Sequence, residues 1–171
     1  MTEQMLLGVT LLYPEMILIG AALLMLLLAR RIRGTHIALT LTVLAALGAG
    51  LLAALGLSAE SATGFGGMIV RDSYSQFFEV LIAAALALGA LLSWSDEPDE
   101  DATPPEYYVL LLLASSGMML AVSAIDLMTL YLGLELTTIC SYVPVGLPVD
   151  RPPATAAAIK YSLMASFPSA L

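Results

Sequence analysis

The sequence is poor in the residues that carry most enzyme chemistry. It has one cysteine, Cys140, and one histidine, His36. A lone cysteine closes no intrachain disulfide, and one histidine with one cysteine gives no zinc-like ligand cluster. No GxGxxG, P-loop or CxxC occurs, so nothing signals a bound nucleotide, a haem or an iron–sulfur centre. Charge is scarce too, at 12% of residues against about 25% in soluble domains. Only six residues are Lys or Arg, which removes the basic surface that nucleic-acid partners need.

What the sequence has is apolar residues in blocks. They make up 60% of 171 residues, and the mean hydropathy is +0.93. A helix needs about 20 apolar residues to cross a hydrocarbon core of about 30 Å. The blocks predict an all-α, polytopic transmembrane bundle of about six spans, near 11–29, 37–57, 77–94, 107–125, 127–147 and 154–171. These are read as one transmembrane domain, with the sequence ending inside the sixth span, as expected of the first part of a longer protein. The opening MTEQ lacks the basic stretch of a signal peptide, so the first span is expected to be retained.

The polar segments mark the loops. Six of the fourteen acids, Asp96, Glu97, Asp99, Glu100, Asp101 and Glu106, crowd into the stretch before the fourth span, which reads as a solvated loop. Arg30, Arg31, Arg33 and Arg151 fall on one side and Arg71 on the other, which predicts an N-terminus outside. Glu15 stands at the entry to the first span and reads as a solvated interfacial acid. Glu79 stands in the first turn of a third span starting near Phe77, within reach of the headgroups.

The fifth span is the exception. Its 21 residues, LMTLYLGLELTTICSYVPVGL, hold a single charge, Glu135, close to mid-membrane. An ionised carboxylate there costs roughly 2.5–3.5 kcal/mol on insertion scales. Tyr131, Thr138 and Tyr142 share its helical face and would form a polar seam beside it. Lys160 stands alone in the next apolar segment, about 9 Å inside its end, whereas Glu135 is about 18 Å from that end by helical rise. A direct bond requires the long lysine stem to reach down or the helices to be staggered. A water-linked pair serves equally. Three readings stay open: a proton relay through Glu135 and Lys160, a static buried ion pair, and a lysine that snorkels to the interface.

The motifs around these residues resemble a known family. EYYVLLLLASSGMMLAVSAIDLMTLYLGLEL, then SYVPVGL and AAIKYSLMASFPSAL, are similar to subunit N of bacterial NADH–quinone oxidoreductase, respiratory complex I. So are DSYSQFFEVL and LLYPEMILIGAALLMLLLA earlier in the chain. The resemblance implies a proton-translocating subunit of the bacterial inner membrane, with Glu135 and Lys160 in the proton path. It implies no cofactor in this chain, with FMN, iron–sulfur centres and quinone held by partner subunits, and a membrane position among the other subunits. A cation/proton antiporter or membrane-bound hydrogenase subunit is the alternative, and a non-pumping structural subunit is another.

Overall fold

The computed structural model describes residues 9–28, 35–57, 60–93, 104–145, 156 and 159–164. Five long helices dominate: α1 (Tyr13–Leu28), α2 (Thr35–Gly56), α3 (Ser73–Leu92), α4 (Pro105–Ser123) and α5 (Leu127–Val145). Residues 159–164 are also helical. Between α2 and α3 lies a short antiparallel hairpin of β1 (Ala62–Gly64) and β2 (Ile69–Arg71). The protein is a multi-pass, all-α membrane bundle. By length and composition α2, α3 and α4 each suffice to cross a membrane, and α1 is a shorter apolar helix. α5 is long enough but is not among the three, because Thr129, Tyr131, Glu135, Thr137, Thr138, Ser141 and Tyr142 dilute its apolar residues.

Local chemistry sets where the helices start. Asp72 and Ser75 form a reciprocal capping box: Asp72 Oδ1 accepts the Ser75 N–H at 2.8 Å, and Ser75 Oγ accepts the Asp72 N–H at 3.0 Å. This satisfies two of the N–H groups that a helix start leaves unpaired. α3 therefore begins at Ser73, four residues before the Phe77 expected from hydropathy. Pro105 opens α4, where its missing N–H costs nothing. Asp126 opens α5: its Oδ2 accepts the N–H groups of Met128 (3.0 Å) and Thr129 (3.2 Å), and its Oδ1 accepts the Thr129 hydroxyl at 2.5 Å.

The first four helices form a ring in which α1 packs on α2 and α4, and α3 packs on α2 and α4. Small residues let them close up. Leu18, Ala22 and Met25 of α1 meet Ala38, Ala45, Ala46 and Ala49 of α2, with Ala83, Leu86 and Ala90 of α3 and Tyr108, Leu112 and Met119 of α4 completing the core. Membrane helices gain little from the hydrophobic effect against lipid, so close backbone approach is what holds them. α5 stands outside the ring and packs chiefly on α4.

The hairpin closes one end of the ring. The spans expected near 37–57 and 77–94 leave only a connection between them, but within it β1 and β2 pair Ala62 with Arg71, Thr63 with Val70 and Gly64 with Ile69. Ile69 also bridges to Ala124, and the Ile125 N–H donates to the Met68 carbonyl at 2.8 Å, which ties the hairpin to the α4–α5 connection. The reversal runs through Gly66 (φ 70°) and Gly67 (φ 92°), a backbone region that side chains with a Cβ rarely adopt.

Candidate functional site

Glu135 sits at the ninth position of α5, half-buried, with the phenol of Tyr131 one turn earlier lying against its carboxylate. Only part of the expected polar seam serves it. The Thr138 hydroxyl donates to the Leu134 carbonyl at 2.7 Å, within its own helix. Thr137 Oγ1 lies 2.9 Å from the Gly133 carbonyl and 3.2 Å from that of Ala114, and Ser141 donates to the Thr137 carbonyl at 2.6 Å. Such back-bonding satisfies hydroxyls in an apolar medium and takes them out of contention as partners for the carboxylate.

The α4–α5 contact fixes how deeply Glu135 sits against the ring. Gly117 and Gly133 face one another there: a Cβ on Gly133 would lie 2.8 Å from the Gly117 carbonyl oxygen, and one on Gly117 would lie 2.7 Å from Thr137 Oγ1. Two residues on from Gly133, Glu135 is thereby held at the edge of this crossing, with one flank open. Cys140, further along α5, is a buried free thiol.

Lys160 lies in the helical segment 159–164, and its side chain is exposed. This segment meets α5 through Tyr161, whose ring packs edge-on against that of Tyr142 with centroids 6.4 Å apart. Tyr142 is seven residues, or about 10 Å of helical rise, beyond Glu135. Among the described residues no ion pair or hydrogen bond joins Glu135 to Lys160. The structure thus brings the lysine's segment onto the Glu135 helix without bringing the charges into contact.

A second set of charges was missed by the sequence reading. Glu15 is not solvated: it is 3% exposed. Glu79 does not reach toward headgroups either, being 1% exposed and paired with Arg71, which is 6% exposed. Arg71 Nη2 donates to Glu79 Oε2 at 3.1 Å, and Nη1 donates to the Leu11 carbonyl at 2.7 Å. The Arg71 guanidinium also lies 4.0 Å above the centre of the Tyr13 ring. Helix packing buries Glu15, since α1 lies against α2 and α4, and β2 brings Arg71 to the start of α1, where it also engages Glu79. The capping box moves Glu79 from the first turn of α3 to the second, about 6 Å deeper than a start at Phe77 would place it. The readable signal was D-x-x-S at 72–75 together with Arg71, the single arginine on its side of the membrane.

Comparison with known proteins places these features in a family context. A family model described as NADH:quinone oxidoreductase/Mrp antiporter, TM matches residues 124–171, the stretch holding Glu135 and Lys160. Subunit N of the NADH-quinone oxidoreductase of Desulfovibrio desulfuricans is 41% identical over 131 residues, covering 75% of this chain and 26% of the relative. That of Paramagnetospirillum magneticum is 36% identical over 160 residues, covering 92% of this chain and 33% of the relative. That of Maricaulis maris is 34% identical over 164 residues, covering 95% and 34%. The chain spans about a third or less of the length of these curated relatives.

Proposed function

This chain belongs to the NADH-quinone oxidoreductase subunit N family, and we propose that it supplies the Glu135 and Lys160 steps of a proton path in the membrane part of such an enzyme. The observation that carries this reading is Glu135 itself: a half-buried carboxylate in the middle of an apolar helix, touched by one phenol and, among the described residues, by no cation. A purely structural acid at that depth would be expected in a closed ion pair, since an uncompensated buried charge is costly.

The separation from Lys160 is the useful part. Charges that do not touch still interact through a low-dielectric interior. A proton arriving at Glu135 weakens the hold on the Lys160 ammonium, and its departure restores it. Such a coupling, made without a direct bond, can be reversed by helix movement. Tyr131 keeps the Glu135 carboxylate hydrogen-bonded while it waits, and the Tyr142–Tyr161 contact keeps the lysine segment in range.

The six spans are proposed to act as one transmembrane domain, N-terminus outside, within an assembly of other membrane subunits. The electron carriers, FMN and iron–sulfur centres, together with the quinone site, are assigned to those partners, so this chain performs no redox chemistry. A second reading has a specific support, because the matching family model also covers Mrp antiporters. There the same two residues would exchange protons against a metal cation.

The test is E135Q in the full-length protein within its membrane complex, assayed for NADH-driven proton uptake into vesicles. The proton-path reading expects an assembled complex whose pumping is reduced. Unchanged pumping in an assembled complex refutes it. Proton flux that requires added sodium and runs without NADH selects the antiporter reading.

A further inference from the structure

The buried triad of Glu15, Arg71 and Glu79 is on different elements from Glu135 and Lys160, and its chemistry does not depend on the reading above. Two carboxylates face one guanidinium. Glu79 uses Oε2 to pair with Arg71 and leaves Oε1 without a hydrogen-bond partner. Neither oxygen of Glu15 has one, and its own backbone N–H approaches the carboxyl without reaching hydrogen-bond geometry. Glu15 lies within charge-interaction range of both Glu79 and Arg71.

The charge count is then decisive. With both acids ionised the triad carries one net negative charge at a buried place, with three carboxylate oxygens unsatisfied. Among the described residues no second Lys or Arg is paired with either acid. On the hairpin side, residues 45–56 of α2 and 114–123 of α4 contain no Asp, Glu, Lys, Arg or His. Two further groups bear on it: the Tyr13 ring, already stacked on Arg71, and Asp72, whose negative charge adds to the imbalance at Glu79. One proton removes the net charge and turns one unsatisfied acceptor into a donor. Two carboxyl groups held near each other commonly share a proton in this way.

We propose that Glu15, Glu79 and Arg71 form a proton-binding site under the hairpin, in which two carboxylates share one proton against a single guanidinium. Arg71 fixes Glu79 through Oε2, so the shared proton lies between Glu79 Oε1 and Glu15. All three groups are buried, so proton exchange with water requires the hairpin to lift or the end of α1 to part from it. Binding is a transfer of one proton from water to the pair, with no other bond made or broken.

Infrared difference spectroscopy of the whole protein in phosphatidylcholine vesicles tests this. At neutral pH the wild type minus E15Q difference is expected to contain a protonated carboxyl C=O band that shifts in deuterated water. The wild type minus E79Q difference is expected to contain the same band, because Glu15 then ionises to pair with Arg71. Loss of the band in both single variants is the mark of one shared proton. A band that survives in E79Q overturns sharing, and absence of any such band from the wild type overturns the site. If either variant fails to fold, the side-chain carboxyl carbon-13 shifts of Glu15 and Glu79 in the unaltered protein decide. The proposal expects them to move together through a one-proton step as pH is varied. Two carboxylates fully ionised throughout the neutral range would refute it.

Discussion

Gly133 lies so close to Gly117 that a Cβ added to it would stand 2.8 Å from the Gly117 carbonyl oxygen and 2.8 Å from the Ala121 backbone nitrogen. Both obstacles are backbone, so neither can swing aside. G133A is therefore expected to push α5 off α4 and to destabilise the protein by about 1–3 kcal/mol, the usual range for overpacking a tight contact. Gly20 supplies the control, since nothing lies within 4 Å of its added Cβ. G20A is expected to be neutral or to stabilise by up to about 1 kcal/mol through helix propensity. Thermal unfolding of the two variants in one detergent checks both signs at once.

Removing one partner of a buried ion pair leaves the other uncompensated, which commonly costs about 3–5 kcal/mol. R71M should fall in that range, because it strands Glu79 and also frees the Leu11 carbonyl. R71M combined with E79L should recover much of the loss by removing the stranded carboxylate. Recovery should be incomplete, because the guanidinium also stacks on Tyr13 and such contacts contribute about 0.5–2 kcal/mol. A double-mutant cycle read by detergent unfolding measures the coupling directly.

The contrast between the two charged regions says what the sequence could reveal. Glu135 is legible because its neighbours in sequence are apolar for eight residues or more on either side but for scattered hydroxyls, and that context is local. The positions of the helices are legible for the same reason. Glu15 is not, because its burial is tertiary: α1 packs on α2 and α4, and Arg71, far later in the sequence, is brought to the same end. Strands of three residues, Ala-Thr-Gly and Ile-Val-Arg, give no alternating pattern long enough to read as sheet. The start of α3 was legible in Asp72 and Ser75, and hydropathy obscured it because SYSQ is polar although helical. Glu135 and Lys160 stand out in the sequence as the lone charges of their apolar segments, but the Tyr142–Tyr161 contact that relates those segments is tertiary.

Asp126 gives a pH dependence whose sign is fixed. Hydrogen bonds from the Thr129 hydroxyl, and from the Thr129 and Met128 N–H groups, hold its carboxyl below the usual carboxylate range. A group whose value is depressed by folding stabilises the fold above its unfolded value of about 3.9 and loses that contribution as pH falls through the folded value. D126A should accordingly be less stable than the wild type at pH 7. The difference should shrink as pH drops below about 4 and level off near that of D126N once the carboxyl is protonated. D126N, which keeps an acceptor for the N–H groups, should lie between the two at neutral pH. Unfolding midpoints of all three proteins across a pH series provide the check.

The turn of the hairpin governs access to the charges beneath it. Gly67 adopts φ 92°, where a β-branched side chain is severely strained. G67V should cost at least about 1–2 kcal/mol, the penalty for left-handed backbone. That strain sits at the tip, and the hairpin's tie nearest the tip is the Ile125 N–H bonded to the Met68 carbonyl at 2.8 Å. Straining the tip should therefore loosen this bond before it disturbs α3, whose start is secured independently by Asp72 and Ser75. Hydrogen exchange separates the two cases. The Ile125 amide should exchange markedly faster in G67V, while amides in the middle of α3, around Ala83 and Leu86, keep their protection. Equal acceleration at both places would mean that the hairpin and the ring open as one unit, and that the hairpin is no separate cover over Glu15 and Glu79.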